Sequence, residues 1–244
     1  MTTWQTPSSV PTLKKNEVHI WRAELAVSPQ QLQEYSTLLN SDETKRARRF
    51  HFDIHRNRFT AARAMLRLLL GRYLNCSPQE IIFKYESHGK PTIENNALEL
   101  QFNVSHSDNY FVAAFTLNHL IGIDIEEISD RAGADIAERF FSASEYEAMM
   151  RLPEQEQQNA FFHIWTQKEA FIKAIGQGLS FPLKDFIVSI QAPAKLISIK
   201  NASADDWHMQ DFFTYSNFAT AFATQQKVNH VKFFNFSELN NKTF

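Results

Sequence analysis

Asp124 and Glu126 stand two residues apart in Gly122-Ile123-Asp124-Ile125-Glu126. In an extended strand alternate side chains share a face, so the two carboxylates lie together while Ile123 and Ile125 enter the core opposite. Neighbouring carboxylates repel unless a cation lies between them, and hard oxygens without Cys or His suit Mg²⁺. A second segment, Trp165-Thr166-Gln167-Lys168-Glu169-Ala170-Phe171-Ile172-Lys173, reads as helix, with Trp165, Glu169 and Lys173 on one stripe. Glu169 can complete an oxygen set or act as a base, and Lys173 can hold a phosphate oxygen one turn away. A third segment, Phe102-Asn103-Val104, reads as a strand end with Phe102 and Val104 inward. Its polar exit, Ser105-His106-Ser107-Asp108-Asn109, offers hydroxyls, backbone N–H groups and an imidazole to an anion. Each pattern alone also fits an ordinary surface: a solvated strand end, an i, i+4 ion pair, a loop after a strand.

The elements that must position these groups alternate along the chain. Val18 to Leu25 reads as a strand, and Ser28-Pro29 opens a helix with a capping box completed by Gln31. Asp53 to Leu74 reads as a long helix with Phe59, Ala62, Leu66 and Leu69/Leu70 on its buried face. Ser77 to Glu80 is a second capping box, and Gly89-Lys90-Pro91 is turn chemistry. Tyr110 to Leu117 and Leu120 to Ile125 look like strands paired across Asn118-His119. Helices follow at Ala134–Phe141, Ser144–Arg151 and Glu154–Ile175. Strands follow at Phe186–Ile190, Leu196–Ile199, Trp207–Phe213, Phe218–Thr224 and Val231–Phe236. The pattern predicts an α+β protein of two halves meeting near Asn118.

Composition narrows the function classes. The net charge of −2 over 244 residues gives no overall attraction to nucleic acid. Locally the charge is uneven: residues 43–72 hold nine Lys/Arg and two acids, and residues 124–145 hold seven acids and two Arg. A basic segment followed by an acidic one suits a polyanion held with the help of a metal, and equally suits two solvated helix faces. The single cysteine, Cys76, permits no internal disulfide. Residues 1–11 lack the basic and apolar stretches of a secretion signal, and no apolar run approaches the ~20 residues of a membrane helix. A soluble cytoplasmic protein is expected. No phosphate-binding glycine loop, dinucleotide fingerprint or zinc spacing occurs.

Read in order, Arg48-Arg49-Phe50, Gly89-Lys90-Pro91, Phe102 to Ser107, Ile121 to Glu126 and W-x-x-K-E-A-x-x-K resemble one family. That family is the 4′-phosphopantetheinyl transferases of the surfactin-synthetase-activating type. The resemblance runs from about Val18 to Phe186 and continues more weakly through the final strands. It implies two pseudo-twofold-related α+β halves, residues 1–118 and 119–244, with coenzyme A (CoA) in the cleft between them. It implies a monomeric, Mg²⁺-dependent enzyme that moves phosphopantetheine from CoA to a serine of an apo acyl or peptidyl carrier protein, releasing 3′,5′-ADP. Such carriers serve fatty acid, polyketide or nonribosomal peptide synthesis. By matching motifs, Asp124, Glu126 and Glu169 are implied as metal ligands, and Glu169 and Lys173 as catalytic groups. Arg46, Arg58, Lys90, Ser105, His106, Lys168 and Lys173 are implied on the CoA side. Glu43 departs from the pattern, since a basic residue is expected there. Other readings remain open at this point: a CoA- or carrier-binding module without catalysis, an arginine-rich RNA binder, and a metal-dependent phosphohydrolase.

Overall fold

The computed structural model of the chain describes residues 2–130 and 133–236. Residues 237–244, the end of the expected second half, lie outside the described residues. The main elements stack in four layers: helix, sheet, sheet, helix.

The first sheet has strand order β1-β12-β2-β6-β5. It comprises β1 (Trp4–Gln5), β2 (Glu17–Glu24), β5 (Leu100–Ser107), β6 (Tyr110–Leu117) and β12 (His230–Asn235). The last strand thus returns from the C-terminal part to pair parallel with β2. On its outer face lie α1 (Pro29–Ser36) and α3 (Asp53–Leu74), with α2 (Ser41–Arg48) beside α3. Helix α3 has its expected bounds and ends at Asn75 in the left-handed region, a conformation Asn tolerates. Its Ala61, Met65, Leu66, Leu69 and Leu70 pack on Trp21, Phe102 and Phe115. Phe59 departs from the expected stripe: it is half-buried beneath the guanidinium groups of Arg46 and Arg63. Helix α2 is almost wholly polar and buries only Glu43 and Ala47, so no apolar period announces it. A short hairpin, β3 (Phe83–Tyr85) and β4 (Pro91–Ile93), presents Lys90.

The second sheet, order β10-β11-β7, comprises β10 (His208–Asp211), β11 (Phe218–Thr224) and β7 (Ile121–Glu127). Val18, Ile20, Val112 and Ala114 from the first sheet meet Ile121, Ile123, Ile125 and Phe222 from the second. The far face of the second sheet carries α6 (Glu154–Ile175), with α4 (Ala134–Phe140), α5 (Ala143–Met150) and the hairpin β8–β9 (Phe186–Val188, Leu196–Ile199) around it.

Three expectations need correction. β6 and β7 are not a hairpin: both sides of β6 are taken by β2 and β5, and β7 pairs with β11. Asn118, at φ 64, turns the chain from one sheet into the other. Ser105 to Ser107 continue β5, and the turn begins only at Asp108, whose φ is 48. Ser28 caps α1 through the Gln31 amide, but the Gln31 side chain bonds Tyr35 Oη instead of closing a box. Among the described residues no helix is long and apolar enough to cross a membrane.

Candidate active site

Strand β7 sorts its side chains by alternation. Ile121, Ile123 and Ile125 are fully buried between the sheets, while Gly122, Asp124 and Glu126 face α6. Gly122 sets the approach of the helix, because a methyl group there would overlap the Ala170 carbonyl oxygen and the Ala174 nitrogen. With that approach allowed, Lys173 Nζ reaches Asp124 Oδ1 at 2.5 Å and Ser105 Oγ at 2.9 Å.

Asp124 is 1% exposed. Its Oδ1 also accepts from Ser105 Oγ at 2.8 Å, whereas its buried Oδ2 has no hydrogen-bond partner. Glu126 Oε2 accepts from Ser107 Oγ at 3.3 Å. Burial and then the negative charge of Asp124 raise the carboxyl groups of Glu126 and Glu169 to about 7, against the pull of Lys173. Asp124 thus pairs directly with Lys173, and Glu126 and Glu169 lie within the electrostatic reach of both. Among the described residues, no three His, Cys, Asp or Glu side chains are arranged to hold a metal ion. The residues nonetheless fit one: an orphaned buried Asp124 oxygen, a local excess of negative charge and an all-oxygen donor set suit a hard divalent cation.

The other face of β5 looks toward α3. His106 is open to solvent yet hemmed in by protein. That crowding, and then the positive charges of Lys173 and Arg58, lowers its pKa. Arg58 is held by the β5–β6 turn: Nε donates to Asn109 Oδ1 at 2.9 Å and Nη2 to Asp108 Oδ1 at 2.5 Å. Arg46 is exposed on α2, 5.3 Å above the Phe59 ring and within the field of Arg63. Its contacts are with that basic aromatic cluster and not with the acids.

Lys90 Nζ donates to Ala174 O at 2.7 Å and Ile121 O at 3.2 Å, tying the β3–β4 hairpin to the end of α6 and the start of β7. Burial lowers its pKa to about 8. Two of its three donors are therefore directed at backbone, and one remains for a ligand.

Lys168 requires a correction. Its side chain has no exposed surface, and Nζ bonds Glu145 Oε2 at 2.9 Å and the carbonyls of Leu183 and Phe186 at 2.8 Å each. All three donors are used inside the core, so Lys168 cannot touch CoA. Its partner lies on α5, far away in sequence, which is why the motif alone does not reveal it. Glu43 likewise has a structural explanation. It is buried, closes the α2 capping box and pairs with Arg67 at 2.8 Å and Arg63 at 3.6 Å. No sequence signal marks Arg63 as a site neighbour, and the sequence offers Asp108 and Asn109 only as part of a polar exit, not as the partners of Arg58.

Residues 23–118 match the model of the 4′-phosphopantetheinyl transferase N-terminal region, and residues 120–223 match that of the 4′-phosphopantetheinyl transferase superfamily. The chain is 39% identical over 226 residues to the 4′-phosphopantetheinyl transferase HetI of Nostoc sp., covering 91% of this chain and 93% of that one. It is 32% identical over 164 residues to Sfp of Bacillus subtilis, covering 67% of this chain and 72% of Sfp. It is 36% identical over 156 residues to psf-1 of Bacillus pumilus, covering 64% and 66%. The chain therefore belongs to the 4′-phosphopantetheinyl transferases of the Sfp type.

Proposed function

We propose that the cleft between the halves 1–118 and 119–244 binds CoA, and that the protein transfers its phosphopantetheine arm to a serine of an apo carrier protein with the help of Mg²⁺. The observation that carries this reading is the Asp124–Lys173 contact with Glu126 and Glu169 within electrostatic reach, and Arg58 and His106 on the neighbouring face of β5. A binding module without catalysis has no use for three repelling acids.

The reaction is phosphoryl transfer, in which positioning and charge neutralisation supply most of the rate. The carrier serine oxygen bonds to the β-phosphorus of CoA, the bridging pyrophosphate bond breaks, and 3′,5′-ADP leaves with the electron pair. A bound Mg²⁺ would supply Lewis-acid charge neutralisation. Asp124, Glu126 and Glu169 would hold that ion. Lys173 offers its ammonium group to the charge that builds on the leaving oxygen. Glu169, one helical turn before Lys173, takes the serine proton. Arg58 and His106, with Arg46 and the remaining donor of Lys90, hold the nucleotide phosphates as positively charged or neutral donors.

The reading is tested by intact-mass spectrometry of a panel of apo acyl and peptidyl carriers incubated with CoA and Mg²⁺. Addition of one phosphopantetheine to at least one class, with 3′,5′-ADP released, is expected. No mass gain on any carrier, alongside measurable CoA binding, would return the protein to the binding-module reading.

A further inference from the structure

Strands β5 and β7 are both sheet edges, and they belong to different sheets. They nevertheless lie side by side, joined by side chains at every second position of β5. Asn103 Oδ1 accepts from the Ile123 amide at 2.9 Å. Ser105 Oγ donates to Asp124 Oδ1 at 2.8 Å. Ser107 Oγ donates to Glu126 Oε2 at 3.3 Å and accepts from the Glu127 amide at 3.1 Å. Each serine on the edge of one sheet thus holds one acid on the edge of the other. A serine hydroxyl has a single proton, and in both residues it is directed at a carboxylate.

We propose that Ser105 and Ser107 are positioning residues that aim Asp124 and Glu126 at the divalent cation. The inference rests on the cation reading above. Ser105 and Lys173 together fix Asp124 Oδ1, which leaves the buried Oδ2 directed at one point. Partners that orient a metal ligand sustain affinity through geometry alone, and their loss typically costs about 10- to 100-fold. Ser107 holds Glu126 by a longer bond at a half-buried position, so its share is smaller.

The test is Mn²⁺ binding in the presence of saturating CoA, read by electron paramagnetic resonance, with CoA affinity measured separately by calorimetry without metal. Ser105→Ala should weaken Mn²⁺ binding about 10- to 100-fold and Ser107→Ala by less, with CoA affinity within about twofold of wild type in both. Ser105→Thr keeps the hydroxyl while disturbing packing at least as much as alanine does. It should restore Mn²⁺ affinity, which a merely structural role would not. If Ser105→Ala fails to fold, Ser107→Ala carries the same test. Weakened CoA binding with unchanged Mn²⁺ affinity would make the serines anion ligands and overturn the proposal. A wild-type protein that binds CoA but no Mn²⁺ would remove the cation reading, and the proposal with it.

Discussion

Lys168 and Lys173 lie five residues apart on one helix and live in opposite surroundings. Lys168 is sealed between α5, α6 and the segment entering β8, with every donor satisfied and Glu145 equally buried. Lys173 is part-exposed in the cleft, against an aspartate whose second oxygen has no partner. A complete buried network gains little from change and loses heavily when one partner goes. An incomplete one at a cleft is what ligand chemistry requires. The same residue type in one motif therefore serves stability at one position and transfer at the other.

The comparison is broken most directly at Lys173. Lys173→Ala should lower single-turnover transfer by about 10³-fold or more, roughly 4 kcal/mol, through loss of charge stabilisation at the pyrophosphate. Its denaturation midpoint should fall less than that of Lys168→Met, because Lys173 is part-exposed and Asp124 keeps its bond from Ser105. A variant that is destabilised yet transfers normally would place Lys173 with Lys168.

Lys168→Met should do the reverse. Removing the ammonium group leaves Glu145 charged and buried, at a cost of about 3–5 kcal/mol in stability. Transfer per folded molecule should stay within a few-fold of wild type. Lys168→Met combined with Glu145→Gln should recover part of the loss, and urea titrations of the single and double variants measure it.

Gly122 sharpens the comparison, because it governs the distance from α6 to the acids. Gly122→Ala pushes the helix off β7, with an overpacking cost of about 1–3 kcal/mol. Lys173, whose 2.5 Å contact crosses that gap, should suffer more than Lys168, whose partners lie elsewhere. Transfer should therefore fall further than the stability loss explains. Equal losses would mean that Gly122 serves packing alone.

A second sealed network gives the smallest effect and a pH signature. Trp21 Nε1 donates to Tyr73 Oη, which lies 2.8 Å from His19 Nδ1, and His19 Nε2 lies 3.2 Å from Glu17 Oε2. Burial lowers the His19 pKa from 6.5 to about 4, so the folded protein keeps this ring neutral. Below the unfolded value the unfolded chain binds the proton and the folded one does not, so the His19 contribution falls as pH drops from about 6.5 towards 4. Glu126 and Glu169, raised to about 7, contribute in the opposite direction. The His19 share of the change between pH 7 and pH 5 should be about 2 kcal/mol, read as the difference in urea-midpoint shift between wild type and His19→Gln.

What the sequence carried and what it hid follow the same division between local and distant partners. Helices α3 and α6 were legible to their ends because helical spacing is a local signal. The face shared by Asp124 and Glu126 was legible because alternation is local too. The pairing of β6 and β7 was misread because β2 and β11, which pair with them, are distant in sequence, and because reading Ser105 to Ser107 as a loop hid the local β5–β6 hairpin. Ser105 to Ser107 looked like a loop because small polar residues favour turns, whereas here their hydroxyls join two sheets. The role of Lys168 stayed hidden because only Glu145, on another helix, reveals it.

The most direct measurement is single-turnover transfer of phosphopantetheine to an apo carrier by wild type and Asp124→Ala, each with Mg²⁺ and with excess EDTA, followed by intact mass. Wild type with Mg²⁺ should convert the carrier, and the other three conditions should fall by several orders of magnitude while the variant keeps its fold by circular dichroism. Full conversion in excess EDTA, or near-normal conversion by Asp124→Ala, would contradict a cation held by the β7 acids and the mechanism built on it.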